Sequence, residues 1–108
     1  MLSMEDIAQG KARSLQLLRK AMREKTSGMY SDYMTTLERI LVFDPNNMPA
    51  AYWLGQGFAL GLGRPRDVEA AMRLYSKAYE QGHFGAAADL VACDLLGPDS
   101  EASVRDLG

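Results

Sequence analysis

The chain has 108 residues, 47% of them apolar and 24% charged, with a net charge of −2 at neutral pH; this is the composition of one ordinary globular domain with one modest core. The balance gives no chain-wide argument for nucleic acid, and the longest apolar runs fall far short of the ~18–20 residues that a membrane span needs. The opening MLSMEDIAQGKARS has an early acidic pair and lacks the apolar stretch of a secretory signal, and the single cysteine, Cys93, allows no internal disulfide, which fits a reducing, cytoplasmic setting.

Ser3, followed three residues later by Asp6, is a capping-type start. The helix it opens is expected to run to about Lys25, with Ile7, Ala8, Ala12, Leu15, Leu18, Ala21 and Met22 as its apolar stripe. Thr26-Ser27-Gly28 breaks it. A second helix is expected from about Met29 to Phe43, with Tyr30, Tyr33, Met34, Leu37, Ile40 and Leu41 on its apolar face, ending at Asp44-Pro45-Asn46-Asn47. A third pattern, Tyr52, Leu54 and Phe58, ends at Gly61-Leu62-Gly63. Gly61 and Gly63 allow the positive φ of a helix end and a tight loop. Pro65 cannot continue the helix, and Asp67 is placed to cap the next one. That fourth pattern (Val68, Ala71, Met72, Tyr75, Ala78, Tyr79) closes at Gly82-His83, and a fifth (Ala86, Ala87, Leu90, Val91, Leu95) closes at Gly97-Pro98. The remaining PDSEASVRDLG has few large apolar residues and reads as a frayed tail or a short turn of helix. Alternation at period two is absent, so no strand is expected. The fold class is all-α, with about five antiparallel helices and small residues where backbones would come close.

The run Ala50-x-Tyr52-x-Leu54-Gly55, then Gly61-x-Gly63-x-Pro65-x-Asp67, then Ala71, Tyr75-x-Lys77-Ala78 and Gly82-His83 resembles a Sel-one-like repeat, a helix–loop–helix repeat related to the tetratricopeptide repeat. The resemblance covers one full repeat, residues 48–83. Residues 84–97 resemble the first helix of a further repeat, with Val91 where the family has glycine. Residues 1–47 resemble a diverged tetratricopeptide pair: the Asp-Pro ending is similar and Ala21 and Leu37 match, while Lys20 and Tyr33 depart. Arg64 and Tyr79 also depart, standing where the family has an aliphatic and a small residue. The resemblance implies a single domain over residues 1–108, a short right-handed α-α solenoid with a tail at 98–108. It also implies a non-catalytic scaffold or adaptor that binds a partner protein or peptide. Such repeats bury their apolar faces by stacking, and ~3 are the usual minimum; the long first helix would then serve as a cap. In the family the first helix of each repeat lines a concave surface. Position by position this implies partner contacts at Tyr52, Gln56 and Ala59, then Ala88, Ala92 and Leu95. The alternative is that Tyr52 packs on the preceding helix, its body apolar and its hydroxyl bonded.

No residues converge as acid, base, nucleophile or metal ligands, so neither an enzyme nor a cofactor is expected. His83 has only Glu80 nearby and reads as a turn residue. Cys93 reads as a small buried apolar side chain, since Asp89 and Asp94 oppose a reactive thiolate. Gly61-x-Gly63 lacks the parts of a phosphate loop. Met22, Met34 and Met72 read as core filler. Tyr52 and Trp53 should face different sides of one helix, with Leu54 and Phe58 as the buried pair. Lys11, Arg13, Arg19, Lys20, Arg23 and Lys25 stand against Glu24 alone in the first helix, and Asp89, Asp94, Asp99, Glu101 and Asp106 stand against Arg105 after residue 88. This asymmetry reads as solvated faces; the alternative is a small regulatory protein contacting nucleic acid or an acidic partner through the basic helix. Finally, Ala88, Leu90, Val91, Ala92, Leu95 and Leu96 surround more than one face of the last helix, which points to a homodimer or a partner there.

Overall fold

The computed structural model describes the backbone of residues 4–96 and the side chains of residues 10–93. These residues form five helices and no strand: α1 (Met4–Thr26), α2 (Tyr30–Phe43), α3 (Met48–Leu60), α4 (Val68–Glu80) and α5 (Ala86–Leu96). The extensive packing runs α1 on α2, α2 on α3, α3 on α4 and α4 on α5. The Ser3 cap, the side chains of Ile7, Ala8, Asp94, Leu95 and Leu96, and the tail with its acidic residues lie outside the described residues.

The punctuation seen in the sequence makes the helix ends. Gly28 takes φ +78° after α1, with Met29 N–H donating to the Glu24 carbonyl at 2.8 Å. Met29 supplies no side-chain cap, so α2 starts one residue later than expected, at Tyr30. Asn47 caps α3: its Oδ1 accepts from the Ala50 N–H at 3.0 Å, with Pro49 in the first turn. Gly61, at φ +71°, ends that helix, and the loop turns back so that Asp67 N–H donates to the Phe58 carbonyl at 3.0 Å. Asp67 Oδ1 then accepts from the Ala70 N–H at 3.0 Å, the cap its position called for. Asp67→Ala is expected to lower stability by about 0.5–2 kcal/mol through loss of this bond. An unchanged urea midpoint would take that role from Asp67.

Two apolar clusters meet along α3. Ala21, Tyr33, Met34, Leu37, Ile40, Ala50 and Leu54 form one; Ala51, Val68, Ala71, Tyr75, Ala78, Ala86 and Cys93 form the other. Ala50 and Ala51, adjacent in sequence, are fully buried in different clusters. Trp53 packs on the first and Tyr52 on the second, so the two aromatics do face different sides. Gly55 and Gly57 let the neighbours in. A Cβ at 55 would sit 3.0 Å from the Tyr75 ring, and one at 57 would run into the Met34 side chain. Leu60 alone on α3 is exposed. Such a helix has no polar face to give water, which suits a position between two others.

The α1 stripe is rotated from the expected one. Ala12 is exposed and Leu15 is 50% exposed, while Ser14 and Glu24 are buried. Two hydrogen bonds set this orientation. Ser14 Oγ donates to Asp44 Oδ2 at 2.8 Å, and Thr36 Oγ1 donates to Glu24 Oε1 at 2.6 Å. Lys20 Nζ stands 3.5 Å from the other Glu24 oxygen, so the buried carboxylate is paired. Tyr30 also departs from the expected face and is exposed, since the first turn of α2 meets the Gly63 loop through its backbone. Of the expected buried pair, Leu54 is buried and Phe58 only half-buried. Phe58 has the Arg64 guanidinium 5.9 Å from its ring centroid. Arg64 in turn forks onto both oxygens of Glu38, and that bond raises its pKa. This is how a cation fits at a position where an aliphatic residue was expected. Tyr79 is exposed and meets Phe84 edge-on at 5.8 Å. Met34 is fully buried and Met22 and Met72 are half-buried against the clusters, as expected of filler.

Candidate functional site

α3 and α5 do not pack closely on each other; both lean on α4. The space between them is a groove of about 280 Å³, lined by Gln56, Ala59, Leu60, Arg66, Tyr75, Asp89, Ala92 and Cys93. Its shape follows from small residues: Ala59 and Ala92 leave room on the two walls, and Gly55 lets the Tyr75 ring lie deep against α3.

Tyr52 ties the groove together. Its ring lies 4.1 Å from the His83 ring and 5.5 Å from that of Tyr75, centroid to centroid. Its hydroxyl donates to Asp89 Oδ2 at 2.8 Å and accepts from Gln56 Nε2 at 3.4 Å. Tyr52 therefore packs on the elements that follow it, not on the preceding helix. Burial and the Asp89 carboxylate raise its pKa. His83 is held at its turn by donation from its N–H to the Ala78 carbonyl at 3.0 Å, and its ring serves as a stacking surface.

Of the expected contact residues, the structure brings Gln56, Ala59 and Ala92 together in the groove wall, with Tyr52 behind them. Ala88 is exposed and does not line the groove. The Leu95 side chain lies outside the described residues. Five lining residues were not anticipated as contacts: Leu60, Tyr75, Asp89, Cys93 and Arg66. Asp89 and Cys93 are one helical turn apart, so the i, i+4 rule would have placed them on one face with Ala92 beside them. Arg66 sits in a loop, where no periodicity could point to it. Its Nε donates to the Ala59 carbonyl at 2.9 Å, fastening the loop to the rim.

Among the described residues no buried side-chain oxygen or nitrogen lacks a hydrogen-bond partner. Tyr75 is 3% exposed. Burial raises its pKa, helped by the Asp89 carboxylate. Burial also pushes the Cys93 thiol up, and Asp89 adds to this while Arg66 opposes it. The thiol is thus kept protonated and is a poor nucleophile at neutral pH.

Elsewhere the polar groups are engaged in the fold. A second cavity, of about 300 Å³, lies between α1 and the turn before α3. There Asp44 Oδ2 already accepts from Ser14 and, at 3.0 Å, from Asn47 Nδ2. Lys11, Arg13, Arg19, Lys20, Arg23 and Lys25 are all exposed along α1. Three of them serve their own chain: Lys20 pairs with Glu24, Arg13 lies 5.4 Å from the Phe43 ring centroid, and Lys25 lies 5.8 Å from that of Tyr33. The Tyr33 hydroxyl is pushed up to about 12 by burial. Among the described residues, no three His, Cys, Asp or Glu side chains are grouped to hold a metal ion, and no helix is long and apolar enough to cross a membrane. In comparison with known proteins, no family model, no curated protein and no solved structure matches this chain.

Proposed function

We propose that the chain is a non-catalytic interaction module, a short α-α solenoid of the Sel-one-like kind, that holds a segment of a partner protein in the groove between α3 and α5. The observation that carries this reading is the groove itself. Gln56 and Ala59 from α3 and Ala92 from α5 line one cleft together with Tyr75 and Asp89. Packing of each helix on its neighbours in sequence supports the solenoid. The residues of the cleft offer hydrogen bonds and shape but no nucleophile–base pair, so the module binds and does not convert its ligand. A lone, protonated thiol suits a reducing compartment such as the cytoplasm.

The test is a random-peptide display selection on the immobilised protein. Selected peptides should bind Ala92→Trp at least about tenfold more weakly, a loss of about 1.4 kcal/mol, because the indole fills the cleft from an exposed position. Equal binding by a variant with unchanged helical circular dichroism would place the site elsewhere. The exposed cations of α1 favour one second reading, an acidic partner or nucleic acid. Binding of that kind would collapse with added salt. Self-association through α5 belongs to the first reading, since Ala88 is exposed and Val91 is 56% exposed; light scattering over a concentration series measures it.

A further inference from the structure

We propose that copies of this chain associate head to tail, the outer face of α5 on one copy seating against the outer face of α1 on the next. This contact uses none of the residues that line the α3–α5 groove and stands apart from the peptide reading. Among the described residues, α1 packs extensively on α2 alone and α5 on α4 alone, so each has a side that no neighbour covers. On α5 that side carries Ala88 and Val91, one turn apart; Ala88 is exposed, Val91 is 56% exposed, and Phe84, in the turn just before the helix, is 73% exposed. On α1 it carries Ala12, Leu15, Arg19 and Arg23, all exposed and spaced along one face away from buried Ser14, Ala21 and Glu24.

Charge chooses between the ways these faces can pair. Arg19 and Arg23 are one turn apart and have no partner among the described residues. Like charges at that spacing work against the helix, so the pair is better placed against an anion than beside its own kind. At the other end of the order, Asp94 belongs to α5, and Asp99 and Glu101 follow within five residues of Leu96, a reach of at most about 18 Å. A two-fold pair through α1 would set arginines against arginines, and one through α5 would bring two acidic stretches together. Facing like charges oppose both. Only α1 against α5 joins opposite signs around the apolar residues Leu15 and Val91. A net charge of −2 for the whole chain puts little general repulsion in the way. Such a contact is heterologous: each copy in a pair still offers one free face, so association continues beyond two. One helix face on another is at the small, transient end of interfaces, so the assembly forms at high protein concentration and disperses on dilution.

The experiment is sedimentation of the pure full chain over a concentration series. The average mass should rise past that of a dimer, and the association constant should fall at least about tenfold between about 0.1 and 1 M salt, where the screening length shrinks from about 10 to 3 Å. Two variants at exposed positions separate the faces: Arg19→Glu with Arg23→Glu, and Val91→Lys. Each alone should associate at least about tenfold more weakly, with its helical circular dichroism unchanged. Mixed one to one, they should regain mass, because α5 of the first variant and α1 of the second are both intact; a two-fold interface cannot be restored in this way. A monomer at every concentration would overturn the proposal and leave the α1 cations to solvent or nucleic acid. A dimer that persists in the arginine variant would overturn it in favour of a two-fold pair through α5, and a mixture that stays as light as its components would overturn it too. Peptides selected on the groove should bind the arginine variant as they bind the unaltered chain, so failure of the head-to-tail contact and failure of the groove are read separately.

Discussion

Gly63→Ala is expected to destabilise the protein by about 2–5 kcal/mol, as the sum of two costs. Gly63 has φ +64°, and an L-residue with a Cβ carries a penalty of about 1–2 kcal/mol in that region. The new Cβ would also lie 2.7 Å from the Tyr30 carbonyl carbon and 2.8 Å from the Ser31 Cα. Those are backbone atoms in the first turn of α2, with no rotamer to change, so the loop and the helix must separate. Overpacking of this kind costs about 1–3 kcal/mol. Gly28 provides the control. It has φ +78°, but a Cβ there meets nothing within 4 Å, so Gly28→Ala should show the conformational cost alone. Equal urea midpoints for the two variants would mean that the Gly63 loop is not wedged against α2.

Leu54→Ala should cost about 2–5 kcal/mol. Leu54 is 4% exposed and belongs to the cluster with Met34, Leu37, Ile40 and Ala50. α3 is pinned on both sides, through Ala50 in this cluster and Ala51 in the other, so it cannot slide to refill the space and a cavity should persist. The steepness of the denaturant transition should stay the same while its midpoint falls. A loss under about 0.5 kcal/mol is typical of surface positions, and would mean that the facing of α3 is different from the one described.

The helix ends were largely legible in the sequence because their signals are local. Gly61, Gly63, Asp67 and Gly82 each impose or permit one backbone geometry whatever the rest of the chain does. Asn47 sent an equally local signal that was read only as part of a turn, since Asp44-Pro45-Asn46-Asn47 offers several polar residues in a row and only one of them can be the cap. Facing was less legible. Periodicity set Leu15 inward on α1, but apolar residues at 15, 17 and 18 leave the phase of the stripe open by a third of a turn, and partners 30 and 12 residues away decided it: Asp44 for Ser14, and Thr36 for Glu24. The groove shows the same division. Gln56, Ala59 and Ala92 were marked by a position-by-position resemblance, whereas Tyr75 was read as core, and it is core, except at its hydroxyl. Asp89 was counted as one charge in an acidic stretch, and nothing near it in sequence announces the Tyr52 hydroxyl 37 residues away.

That packing runs chiefly between helices next to each other in sequence bears on how fast the chain folds. Loops between partners are short, so little entropy is lost before a contact forms, and helical proteins of this kind fold in roughly microseconds to milliseconds. The order of protection follows too. α1 and α5 each pack extensively on one neighbour only and can open at less cost, whereas α3 can be released only by opening both clusters. Amide protons in the middle of α3 should therefore exchange slowest, near the limit of global unfolding, with those of the outer helices graded below them.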